Sequence, residues 1–131
     1  MSDRAGSRPP VMNVIPYETT RTIVVDGTPV ATDTEGYLLR RDQWSEAFAR
    51  ALAEQEGIEL TPAHWEVIRF LRKYHFEHGV QAQVRVMIRH FTRIWGPEQG
   101  SNHQLHDMFP RGGPQKQGNR LAGLLHMKGE H

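Results

Sequence analysis

From Asp42 onward the apolar residues recur at helical spacing, and glycines and prolines cut that pattern into short lengths. A chain patterned this way must pack several short helices around one core. Trp44, Ala47, Phe48, Ala51 and Leu52 stand at i, i+3, i+4, i+7 and i+8, a stripe that Asp42 can cap and Gly57 ends. Thr61-Pro62 reads as an N-cap and first-position proline, because proline lacks a donor only where the helix uses none. The helix it opens runs to about His78, where Gly79 stops it. Its Trp65, Val67, Ile68, Phe70, Leu71 and Tyr74 wrap more than one face, which places this helix, and Trp65 with it, at the centre of the core. A third helix, from about Gln81 to Trp95, turns Val84, Met87, Ile88, Phe91 and Trp95 inward before Gly96-Pro97 breaks it. A short helix near Asn102 to Met108 precedes the breaker run Pro110-Arg111-Gly112-Gly113-Pro114, and residues 115–123 supply a last turn or two. Ser45, Ser101 and the threonines read as caps or turn residues.

Before Asp42 the period is different. Thr22-Ile23-Val24-Val25 is β-branched and leads into Asp26-Gly27, a dipeptide suited to a two-residue hairpin turn. The return strand runs from Thr28 to Thr32, with Pro29 restricting it to an edge. A second turn at Asp33 to Gly36 precedes Tyr37-Leu38-Leu39. Residues 1–20 carry Gly6, Pro9, Pro10 and Pro16 and read as a flexible arm, residues 21–123 as the domain, and residues 124–131 as a mobile tail. The expected fold class is α+β, mostly α: an N-terminal β-hairpin packed on a compact helical bundle with a flexible C-terminal arm.

A length of 131 residues suits one such domain. The net charge of +1 supplies no global pull toward nucleic acid or membrane, so any electrostatic function must come from local clustering. No apolar run approaches the ~18 residues needed to span a bilayer. Prolines interrupt the first sixteen residues where a secretion signal would need an unbroken apolar stretch, which makes the cytoplasm the expected location. The count of zero cysteines excludes disulfides, thiolate–metal sites, persulfides and cysteine nucleophiles together.

Two clusters invite chemistry. Arg85, Arg89 and Arg93 fall at i, i+4 and i+8 on the third helix, with Arg69, Arg72 and Lys73 on the helix before it, an outline similar to a helix-turn-helix. The functional reading is an acidic protein partner or DNA, and the plain one a solvated face partly offset by Glu66 and Glu77. Among the eight histidines, His75 and His78 form one pair and His103 and His106 another. Neither has a third ligand at motif spacing, so surface or helix-terminal roles are expected and no metal or other cofactor. No nucleophile motif, phosphate-cradling loop or carboxylate pair is present, and no catalytic residue is assigned.

Several segments occur together in one order: Asp33-Thr-Glu-Gly-Tyr-Leu38, Gln43-Trp-Ser45, Leu60-Thr-Pro-Ala-His-Trp-Glu-Val-Ile-Arg-Phe-Leu-Arg72 and Leu105-His-Asp-Met-Phe-Pro110. Gly113-Pro-Gln-Lys-Gln117 and Leu121-Ala-Gly-Leu124 complete the set. Over about residues 22–124 the chain resembles the DsrC/TusE family, which includes the gamma subunit of dissimilatory sulfite reductase and a sulfur-relay protein. The resemblance implies a β-hairpin with a helical bundle and a C-terminal arm that carries sulfur. Working members bear a persulfide on a cysteine at the second-last residue. Those acting with sulfite reductase add an earlier cysteine in the same arm.

Carried onto this chain, the earlier cysteine falls at Asn119 and the terminal one at about Glu130. The tail departs further, reading Leu124-Leu-His-Met127 where the family has Leu-Pro-Lys-Pro, and an extra glycine stands at Gly112 or Gly113. An amide or carboxylate cannot replace a thiolate that attacks sulfane sulfur. Lys116 and Arg120 match basic positions beside the first cysteine site, and Arg85 and Arg89 match basic positions of the third helix. Their implied role is binding the family's partners, or an anion. The expected function is therefore a non-catalytic regulatory or docking module, its partners sulfur-transfer proteins or a sulfite reductase-like complex. A structural subunit of such a complex, and a DNA-binding regulator, stay open as alternatives.

Overall fold

The computed structural model describes residues 20–126. The expected N-terminal arm, residues 1–20, therefore lies outside it except for Thr20, as do Glu130 and the tail beyond His126. Strands β1 (Thr20–Val25) and β2 (Thr28–Asp33) form an antiparallel hairpin. Asp26 (φ 50°) and Gly27 (φ 81°) both take the left-handed conformations that a two-residue turn of this hand requires. Ile23 faces Val30 across the ladder and both are buried, whereas Val24 points out, so one face lies on α1 (Glu46–Glu56). The next turn is tied by Asp33, whose carboxylate accepts from the Glu35 and Tyr37 N–H groups at 2.9 and 3.0 Å. It delivers Tyr37 and Leu38 into the interior, where Leu38 bridges back to Thr32.

Helix α1 starts later than Asp42. That residue sits in a single 3-10 turn, Arg41–Gln43, and pairs with Arg40 at 2.8 Å. The cap is Ser45, whose Oγ accepts the Phe48 N–H at 3.0 Å. The later start rotates the buried stripe to Phe48, Ala49, Leu52, Ala53 and Glu56, and it leaves Trp44 outside the helix.

Helix α2 (Pro62–His78) has its proline and its Thr61 cap as expected. Its inward face holds His64, Val67, Ile68 and Leu71, while Trp65 is only half-buried, flanked by Arg50 and Arg69. The expectation that Trp65 occupies the core is thus wrong by one residue. His64 goes in because its ring has two fixed partners: Nδ1 accepts from the Thr61 N–H (3.2 Å) and Nε2 donates to Met108 O (2.8 Å). Helix α3 (Val84–Trp95) buries Met87 and Phe91, and α4 (Asn102–Met108) is capped by Ser101.

Helix α5 (Gly113–Leu121) departs most from the sequence reading. It begins inside the breaker run, with Pro114 in its first turn, and seven of its nine residues are buried. The described chain continues past residue 124: Leu124 is buried, Leu125 packs on the core, and Gln81 Nε2 donates to Leu125 O at 2.7 Å. The five helices and the hairpin of the described residues enclose one apolar core running from Ile23 through Phe48, Leu71 and Phe91 to Leu121. None of these helices is long and apolar enough to cross a membrane.

Candidate functional site

Asn119 lies in α5, 1% exposed, and among the described residues neither its Oδ1 nor its Nδ2 finds a hydrogen-bond partner. The position that the resemblance equates with a family cysteine is therefore occupied by a buried amide with no hydrogen-bond partner among the described residues. A buried orphan of this kind costs about 1–3 kcal/mol.

Its neighbour Arg120 does not face solvent. Its Nε and Nη2 donate to Glu56 at 3.0 and 3.2 Å, and Nη2 also donates to Arg111 O at 2.6 Å. Gln117 Nε2 completes the cluster by donating to Glu56 Oε1 at 2.7 Å. The expectation that Arg120 binds a partner or an anion is corrected: its anion is internal, a carboxylate at the end of α1. The reason is burial with an internal counter-ion: Arg120 is 7% exposed, and three of its five N–H groups already donate to Glu56 and Arg111 O. Glu56, which has no match in any sequence motif, is the buried counter-ion the sequence reading missed.

The other three cations are exposed. Arg85 and Arg89 lie on the open side of α3, and Lys116 on the open side of α5. The Val84 N–H donates to Gln115 Oε1 at 3.2 Å, which ties the start of α3 to the start of α5. Val84, His106 and Gly112 to Lys116 line a shallow pocket of about 230 Å³ there. Arg85 and Lys116 thus belong to helix ends that meet, and Arg89 stands one turn farther along α3.

The helix before α3 contributes fewer free charges than its sequence suggests. The Arg72 guanidinium lies 3.8 Å over the Trp44 ring and donates to Ala122 O at 2.8 Å. Arg69 leans toward Trp65, and Lys73 pairs with Glu77 at 3.7 Å. Of these groups Arg72 is the one the fold holds in place, whereas Arg69 and Lys73 stay exposed with surface partners. The histidines are also placed: His78 packs on Tyr74, His103 pairs with Asp107, and His106 Nδ1 is 2.9 Å from Asn102 O. No group of three or more histidines and carboxylates converges on a common point among the described residues.

Trp44 also explains Gly123. Its indole Nε1–H donates to Leu121 O at 2.8 Å, and a Cβ on Gly123 (φ 77°) would run into its ring. The chain after α5 is thus clamped between Trp44 and Arg72.

A second basic feature was not foreseen. Arg40, Arg41, Asp42, Arg72, His75, Phe76 and Leu124 line an open cleft of about 570 Å³. Its only hint in the sequence is the Arg40-Arg41 pair. Burial, then Arg41 and Arg72, hold the His75 pKa below the ordinary histidine value.

Residues 24–129 match the family model described as DsrC like protein. The chain belongs to the DsrC family. The protein called sulfurtransferase TusE of Salmonella choleraesuis (strain SC-B67) is 42% identical over 102 residues, which is 78% of this chain and 93% of that protein. The solution structure of Allochromatium vinosum DsrC superposes with a TM-score of 0.74 at 39% identity, covering 86% of this chain and 99% of that one. The oxidized gamma-subunit of the dissimilatory sulfite reductase from Archaeoglobus fulgidus gives a TM-score of 0.76 at 33% identity, over 85% and 100%. The DsrC fold, with its hairpin and helical bundle, is thus the architecture of this thiol-free chain.

Proposed function

We propose that this protein is a non-catalytic DsrC-family module of sulfur metabolism or sulfur relay, a cytoplasmic chain that docks on the family's partners without carrying sulfur. The observation that carries this reading is the joint finding of an intact DsrC fold and no cysteine anywhere in the sequence. A persulfide needs a sulfur atom to attach to, and neither Asn119 nor Glu130, at the positions matching the family cysteines, has one. Burial of Asn119 supports the same reading, because a buried amide offers no reactive arm. Arg85, Arg89 and Lys116 are the exposed cations proposed to meet a partner. A structural-subunit role is the second reading, favoured by the likeness to a sulfite reductase gamma-subunit.

Two measurements test it together. Intact mass after exposure to a sulfurtransferase and a persulfide donor is expected to stay unchanged, and a stable gain of one sulfur would refute the absence of carriage. Affinity capture from the native cell is expected to return sulfur-transfer proteins, with on-rates that fall as salt shortens the Debye length from about 10 Å at 0.1 M. The double reversal of Arg85 and Arg89 to Glu is expected to release them while leaving the melt intact. Partners held as tightly as before would make α3 an ordinary solvated face.

A further inference from the structure

The cleft beside the C-terminal segment includes two side chains, Arg41 and Phe76, that the rest of the described fold does not use. Arg41 is exposed, and its guanidinium has no hydrogen bond or ion pair among the described residues. Phe76, on the outer side of α2, is 89% exposed, the largest value among the exposed large apolar side chains. The cleft holds three guanidinium groups against one carboxylate, and that carboxylate, Asp42, is already paired with Arg40. Arg72 is fixed in place by Trp44 and Ala122 O, so one cation is preorganised. Arginine and an exposed aromatic side chain, with no lysine or glutamate in the lining, are the composition enriched at protein interfaces.

The field in the cleft is positive and uncompensated. Burial first, and then Arg41 and Arg72, lower the pKa of His75, which lines the cleft with both cations. An incoming anion would relieve this. The cleft is also open along one side, as suits a chain segment rather than an enclosed small molecule.

We propose that this cleft, formed by Arg40, Arg41, Arg72, His75 and Phe76, is the docking seat for an acidic segment of a protein partner, with an apolar residue of that segment packing on Phe76. Charge complementarity fixes the sign of the partner, and Phe76 fixes the need for an anchor. The inference deepens the docking reading and rests on it, but it assigns a different surface from Arg85, Arg89 and Lys116.

The test is an NMR titration of the full chain with an acetylated peptide of sequence Glu-Glu-Phe-Glu-Glu-Leu. The expected shifts fall on amides of residues 40–42 and 72–76. Arg41→Glu is expected to weaken binding roughly tenfold, and a peptide with Lys in place of Glu is expected to prefer that variant to the parent. Removing the peptide's Phe and the chain's Phe76 together is expected to cost less than the sum of the two single losses. The proposal is overturned by no shift at millimolar peptide, by shifts centred on α3, or by equal binding of a peptide with Gln in place of Glu. It is equally overturned if an oligothymidylate takes the same amides more tightly. Two other occupants also overturn it: residues 127–131, seen if their signals respond to Arg41→Glu without peptide, and a second copy, seen if dimerisation is lost in Phe76→Ala. If the peptide fails here while cellular capture still depends on Arg85 and Arg89, docking stands and only this seat falls.

Discussion

Replacing Glu56 is the sharpest test of how α5 is held. Its carboxylate is 7% exposed and takes three hydrogen bonds, two from Arg120 and one from Gln117. The Glu56→Ala change leaves the Arg120 guanidinium, 8% exposed, with Arg111 O as its remaining hydrogen-bond partner. Stranding one charge of a buried pair costs about 3–5 kcal/mol, because the desolvation penalty remains after the attraction is gone. A domain of this size lies between the small- and larger-domain ranges, where each kcal/mol moves the melting temperature by about 4 °C, so a fall on the order of 15 °C is expected. Glu56→Gln is expected to lose most of the same amount, since its amide turns a donor toward donors. The double change Glu56→Leu with Arg120→Met is expected to recover most of it, because apolar replacement removes both penalties together. Urea unfolding followed by tryptophan fluorescence reads all three, using Trp44 packed beside this helix. A loss below about 1 kcal/mol for Glu56→Ala, or a double variant as unstable as the worse single one, would refute the argument from stranded charge.

Asn119→Leu is expected to raise the urea midpoint, by about 1–3 kcal/mol of stability, because it removes a buried amide that has no partner among the described residues. Gly123→Ala is expected to lose at least about 1 kcal/mol in the same assay, since the site combines φ 77° with the Trp44 ring. His75 and His90 are both held below the ordinary histidine pKa, chiefly by burial, with Arg41 first among the charges for one and Arg93 for the other. A depressed histidine favours folding above the unfolded value near 6.5 and loses that contribution as pH falls through the folded pKa, so stability should decline on acidification across this window. NMR titration of Arg41→Gln should return the His75 midpoint upward, and an unmoved midpoint would remove Arg41 from the account.

The resemblance sets Asn119, Glu130 and the Leu124 to Met127 sequence apart from the family pattern, all in one stretch of chain. Here Leu124 and Leu125 join the core, and His126 packs on Tyr37. The segment after α5, as far as His126, is part of the packed fold.

Sequence alone determined the punctuation of this fold. The Asp26-Gly27 turn, the Thr61 and Ser101 caps, Pro62, the stops at Gly57 and Gly79, and the extent of α4 all act within one turn of chain, so local residue type decides them. The missing thiol and the family segments were equally legible there. Tertiary structure decided which face each helix turns inward and whether α5 exists. The sequence of α5 has no apolar period, and it is helical because the core and Glu56 surround it. Arg120 and Glu56 are 64 residues apart, and Arg72 reaches Ala122 across 50. Whether an arginine is a free binding group or an internal counter-ion depends on such distant partners, because burying a charge is favourable only where folding brings the opposite one to it. That is why Arg85 and Arg120 look alike along the chain and differ in the folded protein.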